Sequence, residues 1–345
     1  MTITIRPGDL DTDRDAAIAL FTRCLNPAYD ARRFAWLYEE NPAGPGRLWI
    51  ATDEKTGETV GTAAAFPREI YLEGREANGW VLGDFCIDER YRSLGPALML
   101  QRRCLDELAA GPGAFFHDFP HRRLLPIYTR LQVGSPRLMR RLSRLLRVDD
   151  KVEHLVGSSP LGRGLSAAAN AVLARRARPP RPTADVETGL LEGPCGPEFS
   201  ELADKVSADY GTCVRRSAEY VDWRYRRNPI RPHDIVTVRQ DGRLAAWAAL
   251  TQDGGAGVVV DLFGTPDEAL LATAVQTAVA ELGRRGCATA SALLLDSHPW
   301  IALFRRLGFS PRESSPVILQ PLPASGLASP ALSGPVLLTQ GDQDS

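Results

Sequence analysis

Hydrophobic and polar residues alternate from Met1 to Arg6, and this period of two predicts an opening strand. Further on, two apolar runs flank a glycine-containing turn, Asp53 to Gly57, in the pattern of a strand hairpin. A later apolar run ends near Ile87 and is followed by leucines at helical spacing, which predict a helix from about Pro96. The chain is therefore expected to have an α/β (α+β) fold.

The same succession of elements occurs twice along the chain. A W-x-Y-x-x-N-P segment at Trp36 to Pro42 recurs at Trp223 to Pro229. A hairpin pattern, an apolar strand with an acidic residue and a helical run follow each copy. Self-similarity of this kind indicates repetition of one structural unit. We predict two tandem domains, each a mixed, mostly antiparallel sheet flanked by helices.

The two copies define the predicted domain organisation. The first domain covers residues 1–150, and the second covers residues 184–322. The connector between them, 151–183, is rich in Pro, Arg and Ala, and its prolines disfavour regular structure. The tail, 323–345, is rich in Ser, Pro and Gly and is expected to be flexible.

A turn between the predicted strand and the predicted helix has the chemistry of a phosphate site. Arg92-x-x-Gly95-x-Ala97 offers free backbone N–H groups at a helix N-terminus, small residues for close approach and the positive end of the helix dipole. Pro96 suits a first helical turn because no N–H is needed there. The segment therefore predicts a pyrophosphate site. Six consecutive residues form it: Arg92, Ser93, Leu94, Gly95, Pro96 and Ala97.

This turn resembles the R/Q-x-x-G-x-G/A signature of the GNAT acyltransferases, which holds the pyrophosphate of acyl-CoA. Members of that family carry a tyrosine four residues before a Gly-Phe pair, and Tyr128 stands at that spacing before Gln132-Val133. The second copy keeps the pair as Gly308-Phe309. The chain is also similar to bacterial tandem GNAT proteins with a W-x-Y-x-x-N-P segment in each half, some of which are associated with polysaccharide assembly.

The resemblance implies an acyl-CoA-dependent N-acyltransferase. Acetyl-CoA or another acyl-CoA would be the co-substrate, and a small-molecule primary amine, such as an amino sugar or a polysaccharide precursor, would be the acceptor. Phe85, Cys86 and Ile87 would line the slot for the pantetheine arm. His121, at the place of a family asparagine, would contact that arm, and Tyr128 would protonate the leaving thiolate.

A general base must take a proton from the ammonium group of the acceptor before attack. Asp84, on the strand beside the slot, is our first candidate. Asp118, His117 and His121 are alternatives, because a histidine that titrates near neutrality suits this task.

Trp36, Tyr38 and Asp118 are candidates for the acceptor pocket, since aromatic faces suit a sugar or a nucleotide. The alternative role of the two aromatic residues is packing, because their segment recurs in the copy that lacks the phosphate turn.

The second copy has lost the features of a cofactor site. Its corresponding turn, Thr265 to Ala272, contains neither Arg nor Gly and carries two acidic side chains that would repel a pyrophosphate. Phe304 stands in place of Tyr128 and has no proton to donate. We therefore expect the second copy not to bind acyl-CoA.

Composition excludes several classes of function. Lys and Arg number 41 against 42 Asp and Glu, so the net charge of −1 gives no global field for nucleic acid or an anionic membrane. The N-terminus lacks a signal-peptide pattern, and no run reaches the roughly 18 apolar residues of a membrane span. We expect a cytoplasmic protein without membrane insertion. The six cysteines are scattered without metal-ligand spacing, so no metal is expected.

Two other interpretations stay open. A Fem-like transferase also pairs two such folds but takes its aminoacyl group from transfer RNA, and both the near-neutral charge and the turn at Arg92 to Ala97 argue against it. A non-catalytic binding protein, in which both copies have decayed, would recognise a glycan or a protein. The oligomeric state also stays open, and a homodimer is compatible with the sequence.

Overall fold

A computed structural model of the chain describes residues 2–134, 136–148, 166–168, 170–171, 185–327, 332 and 334–344. Within these ranges, thirteen strands join in one sheet, and helices pack on its faces. The paired strands are mostly antiparallel. The predicted class, a mixed and mostly antiparallel sheet flanked by helices, is confirmed.

The first half runs from the N-terminus to the strand that precedes the connector. Its elements, in chain order, are β1 (Ile3–Pro7), α1 (Arg14–Cys24), α2 (Ala31–Tyr38), β2 (Arg47–Asp53), β3 (Thr59–Leu72), β4 (Arg75–Ile87), α3 (Leu94–Ala109), β5 (Phe115–Asp118), α4 (Leu125–Arg130) and β6 (Arg137–Leu145).

The second half has a similar order of elements, with one added strand, β8, between its first two helices. Its elements are β7 (Val186–Leu190), α5 (Glu198–Val206), β8 (Cys213–Val214), α6 (Ala218–Val221), β9 (Asp234–Gln240), β10 (Arg243–Asp253), β11 (Ala256–Gly264), α7 (Glu268–Arg284), β12 (Thr289–Leu295), α8 (Trp300–Arg306) and β13 (Ser310–Pro321).

Helix α3 shows how the local sequence builds these elements. Ala97, Leu100, Cys104 and Leu108 fall on one face at spacings of three and four residues, and all are buried against β2 and β3. Burial of each leucine contributes about 1.5–3 kcal/mol relative to exposure. The helix begins at Leu94, two residues before the predicted start at Pro96.

The two halves exchange strands at the centre of the sheet. The strand order is β1-β2-β3-β4-β5-β13-β6-β12-β11-β10-β9-β7, and β8 pairs with β3. The last strand of the second half, β13, lies between β5 and β6 of the first half, and β6 pairs with β12. The predicted division at 1–150 and 184–322 therefore separates strands that are neighbours in one sheet.

The tail was predicted to be flexible, but part of it is buried. Val336, Leu337 and Leu338 are buried, and so are Thr339 and Asp342. The reason is that an apolar triplet inside the Ser/Pro/Gly-rich segment enters a hydrophobic core to which both halves contribute. Most of the predicted connector, 151–183, lies outside the described residues. Across the part of the chain that the structure describes, no helix is long and apolar enough for a membrane span.

Trp36 and Trp223 hold the two halves together from α2 and from the turn after α6. Each indole N–H donates to the backbone oxygen of the other tryptophan at 2.9 Å. The rings stack with centroids 5.0 Å apart, and both side chains are almost fully buried. The two repeated segments therefore contact each other around a local two-fold relation.

Replacing Trp36 with phenylalanine should destabilise the protein by about 1–3 kcal/mol, because the buried oxygen of Trp223 loses its donor. The measurement is urea unfolding followed by far-UV circular dichroism. Trp49→Phe is the matched control, since the Trp49 indole donates to the partly exposed Glu107, which water can solvate instead. Equal losses in the two variants would contradict the inter-half role of Trp36.

Candidate functional site

One extra residue in β4 opens the site. The register between β3 and β4 shifts after Thr62, so that Asp84 and Phe85 face a single residue of β3. Asp84 adopts a left-handed backbone with a φ of +43°, and the Thr62 hydroxyl donates to its carbonyl oxygen at 2.9 Å. The parallel ladder between β4 and β5 covers only Gly79–Val81 and its partners. The two strands therefore separate at the bulge.

A cleft lies where β4 and β5 separate, and it has two adjoining parts. The first, here called the turn chamber, has a volume of about 520 Å³. It is lined by Phe85, Cys86, Ile87, Arg92, Ser93, Leu94, Ala97, His121 and neighbouring apolar side chains. The second, here called the carboxylate chamber, has a volume of about 340 Å³. It is lined by residues that include Arg33, Asp84, Phe85, Asp118, His121, Tyr128 and Asp344.

The start of α3 has free donors that face the turn chamber. Ser93 precedes the helix in an extended conformation, and within the described structure its side chain caps no backbone N–H. The first-turn amides are therefore open to an anion. A Cβ built on Gly95 would meet no atom within 4 Å, so the fold does not require glycine there. Arg92 is exposed and donates from Nε to the Ile87 oxygen at 3.3 Å.

Asp84 lies in the carboxylate chamber, held by two tyrosines. Its carboxylate accepts from the Tyr29 hydroxyl at 2.6 Å and from the Tyr38 hydroxyl at 3.0 Å. Burial, followed by the charge of Asp344, raises the pKa of Asp84 to about 6, while the two hydroxyls and the Arg33 guanidinium oppose the shift. Asp84 thus titrates close to neutrality, which suits proton transfer.

Asp118 and Tyr128 form a second hydrogen-bonded pair in the same chamber. The Tyr128 hydroxyl donates to the Asp118 carboxylate and accepts from Gln101 Nε2 at 3.2 Å. Burial raises the pKa of Asp118 to about 7, although the Tyr128 hydrogen bond opposes that shift. Burial, followed by the charge of Asp118, raises the pKa of Tyr128 well above its ordinary value. Near neutral pH the pair therefore holds the Tyr128 proton and can take up a second proton on Asp118.

The remaining predicted residues divide between the cleft and the interior. His121 lines both chambers, and its Nδ1 accepts from the backbone N–H of Arg123 at 3.2 Å. His117 instead contacts the Asp342 oxygen at 3.0 Å in the interior, where burial lowers its pKa to about 4. Trp36 lies between the halves and does not line the cleft, because it packs on Trp223. Tyr38 is buried and reaches the site only through Asp84.

Sequence reasoning missed three residues that act on the carboxylate chamber: Gln101 and Asp344 line it, and Tyr29 donates to Asp84. Tyr29 lies in the loop between α1 and α2, and Gln101 lies in the predicted helix, but nothing in their local spacing pointed to Asp84 or Tyr128. Asp344 comes from the tail that was expected to be flexible. Contacts between residues so far apart along the chain leave no local pattern.

The matching positions of the second half have different partners. The Tyr225 hydroxyl donates to Asp261 at 2.7 Å, as Tyr38 does to Asp84, but Asp261 also pairs with the buried guanidinium of Arg216 at 3.2 Å. At the start of α7, the Asp267 carboxylate accepts from the N–H groups of Ala269 and Leu270. An internal anion therefore already satisfies this helix N-terminus.

No protein-family model matches the sequence, and no curated protein matches it. Solved structures match in fold. A conserved protein of unknown function from Enterococcus faecalis, described as a probable N-acyltransferase, superposes with a TM-score of 0.66 at 12% identity over 93% of this chain and 73% of its own. A GCN5-related N-acetyltransferase from Anabaena variabilis gives 0.65 at 11% identity, over 92% and 72%.

Saccharomyces cerevisiae N-myristoyltransferase with bound myristoyl-CoA gives a TM-score of 0.57 at 13% identity, over 92% of this chain and 82% of its own. The chain thus has the fold of the GCN5-related N-acetyltransferases along nearly its whole length. The fold expected from the turn and from the position of Tyr128 is confirmed.

Replacing Tyr38 with phenylalanine should raise the pKa of Asp84 above about 6, because the hydroxyl stabilises the charged carboxylate. The measurement is a ¹³C NMR titration of the aspartate side-chain carboxyl signals. Tyr91→Phe is the control, since the Tyr91 hydroxyl donates to Asp53 instead. An Asp84 titration that is the same in the wild type and Tyr38→Phe would refute the assigned contact.

Proposed function

We propose that this protein is an acyl-CoA-dependent N-acyltransferase that moves an acyl group to a primary amine by direct attack. One observation carries the proposal: the strand separation at Asp84 joins an uncapped helix N-terminus to two buried carboxyl groups that titrate near neutrality. The fold of the N-acyltransferases supports it.

In this proposal, the pyrophosphate and the pantetheine arm of acyl-CoA each bind a different wall of the turn chamber. The open amides at the start of α3 and the Arg92 guanidinium suit a pyrophosphate. Phe85, Cys86 and Ile87 form one wall, where backbone groups left without a ladder partner by the bulge suit the amides of a pantetheine arm. His121 lies between the two chambers. When bound, an acyl thioester supplies an activated carbonyl carbon.

Asp84 serves as the general base in this proposal. Its carboxylate takes a proton from the acceptor ammonium group, and the free amine then attacks the carbonyl carbon. Tyr29 and Tyr38 fix the position of the carboxylate and keep part of its population charged at neutral pH. Asp84 is thereby a base of moderate strength rather than a permanently paired acid.

Tyr128 serves as the general acid, with Asp118 as its proton source. While Asp118 is charged, the Tyr128 proton is directed towards it. When Asp118 is protonated, its O–H can donate to the Tyr128 oxygen and free the phenolic proton for the departing thiolate. Nitrogen then holds the acyl group, the carbon–sulphur bond is broken, and sulphur carries the phenolic proton. The acylated nitrogen gives its excess proton to the Tyr128–Asp118 pair and becomes a neutral amide, and Asp84 releases the proton it took to solvent.

We also propose that the two halves arose by duplication and that the second copy does not bind acyl-CoA. The reciprocal Trp36 and Trp223 contacts and the parallel roles of Tyr38 and Tyr225 support a common origin of the two halves. The cap by Asp267 supports the absence of acyl-CoA binding at the second helix N-terminus.

The proposed acceptor is a small molecule with a primary amine, for example an amino sugar or a polysaccharide precursor. The carboxylate chamber, at about 340 Å³, admits such a group, and its acidic lining suits an ammonium ion. A turnover screen of amino sugars, amino acids and polyamines with acetyl-CoA tests this choice. Acyl-CoA binding without turnover of any amine would favour the non-catalytic alternative.

Replacing Gly95 with valine should weaken acetyl-CoA binding about tenfold or more, roughly 1.4 kcal/mol, because the new side chain would occupy open space beside the helix amides. Isothermal titration calorimetry measures the affinity, and the wild type should bind one acetyl-CoA per chain. Gly283→Val is the matched control, since Gly283 is also helical with open space but lies in α7, remote from the cleft. Equal affinities in the two variants, or two equal sites in the wild type, would count against the proposal.

Turnover should depend on pH in a bell shape. Asp84 must lose its proton to act as base, so kcat rises through a pKa of about 6. Asp118 must keep its proton to supply Tyr128, so kcat falls above a pKa of about 7.

Tyr128→Phe should lower kcat by roughly 10²–10⁴-fold with acetyl-CoA affinity unchanged. A pH-independent kcat between about 5 and 8, or full activity of Tyr128→Phe, would exclude these roles.

A further inference from the structure

The second half contains the same strand separation as the first. The register of β10 and β11 shifts after Ala249, which leaves one extra residue in β11 beside Asp261. The parallel ladder between β11 and β12 covers only Ala256–Val259 and Thr289–Ala292. Beyond these pairs the two strands diverge, as β4 and β5 do at Asp84.

The C-terminal segment, residues 335–342, occupies this second opening. It enters beside Thr212, whose N–H donates to the Pro335 oxygen and whose oxygen accepts from the Leu337 N–H, both at 2.9 Å. Thr339 then bridges to Leu294 of β12, and the Leu295 N–H donates to the Leu338 oxygen at 3.2 Å. The segment thus pairs with the edge of β12 that the divergence of β11 leaves exposed.

Residues on the β11 side of the opening also bind the same segment. The Thr339 hydroxyl donates to Asp261 at 2.8 Å, and Arg216 Nη2 donates to the Asp342 carboxylate at 2.9 Å. The Arg216 and Asp342 side chains are fully buried. Gly341 passes so close to Tyr225 that a Cβ there would lie 2.0 Å from the tyrosine hydroxyl. The segment and the opening are closely complementary, and departure of the segment would remove one of the two carboxylates, Asp261 and Asp342, that pair with the buried Arg216 guanidinium.

After Asp342 the chain passes to the cleft of the first half. The Gln343 oxygen accepts from Arg224 Nη2 at 2.9 Å. The Asp344 carboxylate then lies against Gly83, where a Cβ would be 2.1 Å from its Oδ2. Asp344 lines the carboxylate chamber together with Asp84 of β4, Asp118 of β5 and Arg33 of α2. Three carboxyl groups from three separate parts of the chain therefore face one small volume.

We propose that the strand opening of the second half holds the chain's own C-terminal segment, and that this anchorage delivers the Asp344 carboxylate to complete the ammonium site of the first half. Arg216, Thr339 and Asp342 are positioning residues, and Asp344 binds the acceptor. The second part of this inference rests on the proposed function, because it identifies the acceptor as a cationic amine.

Hydrogen exchange of the full-length protein tests the anchorage. The amides of Leu337, Thr339 and Gly341 all donate within the folded structure, so their exchange should be slowed by orders of magnitude relative to the exposed turn residue Gly254. Gly341→Leu should abolish this protection by collision with Tyr225. Exchange of the wild-type segment as fast as that of Gly254 would overturn the anchorage, whether or not the variant folds.

Carboxyl ¹³C NMR of Asp344→Asn tests the delivery of Asp344. The Asp84 pKa should fall in this variant, because a neighbouring negative charge is lost, while the charged and titratable neighbours Arg33, Asp118, His121 and Tyr128 are unchanged. Asp253→Asn, in the exposed β10–β11 hairpin, is the matched control. An unaltered Asp84 titration in Asp344→Asn would overturn the placement of Asp344.

Ethylammonium chloride is the probe for the ammonium site, with ethanol as its neutral control. In the wild type, ethylammonium should shift the Asp84 and Asp118 carboxyl signals, and its Kd should rise about tenfold in Asp344→Asn. No shift in the wild type, or an equal Kd in the variant, would overturn the binding role. Acetyl-CoA affinity, measured in parallel, should be the same in both proteins. If the wild type does not bind acetyl-CoA, the proposed function is rejected. The hydrogen-exchange result still decides whether the C-terminal segment is anchored.

Discussion

The β-bulge at Asp84 is the constraint on which the cleft depends. A regular β4 would continue its ladder with β5 and leave neither a gap nor free backbone groups between them. The extra residue places Asp84 in a left-handed conformation, and Thr62 satisfies the carbonyl oxygen that the bulge exposes. Two buried tyrosines then hold the carboxylate at the mouth of the gap. Backbone geometry and site chemistry thus have a single origin.

The second half shows what the same backbone feature does with different side chains around it. Asp261 occupies the place of Asp84, but a buried guanidinium compensates its charge, and the helix that follows is capped by an internal carboxylate. An opening between diverging strands exposes backbone groups that need partners. In the first half the cleft is open, whereas in the second half the C-terminal segment supplies those partners. Strand exchange through β6 and β13 places the two openings in one continuous sheet.

Local pattern was sufficient to predict the elements that carry the site. The strand that ends near Ile87, the turn at Arg92 to Ala97 and the helix with its leucine face lie close together in sequence, and each has a characteristic period or turn chemistry. Strand exchange left no such pattern. The insertion of β13 between β5 and β6 is decided by packing between residues far apart along the chain, which a single sequence does not record. The tail was mispredicted because composition averaged three buried apolar residues with their polar neighbours.

The proposed separation of roles between Asp84 and Asp118 follows from what surrounds each buried carboxyl group. Both carboxyl groups are buried, and burial is the main cause that raises the pKa of each. The Tyr29 and Tyr38 hydroxyls and the Arg33 guanidinium favour the charged form of Asp84, whereas the Tyr128 hydroxyl and the Phe119 N–H favour that of Asp118. Asp84 therefore gives up its proton at a lower pH than Asp118 does. Near neutral pH, one group is ready to accept a proton while the other still holds one, and this difference is what a direct transfer to an amine requires.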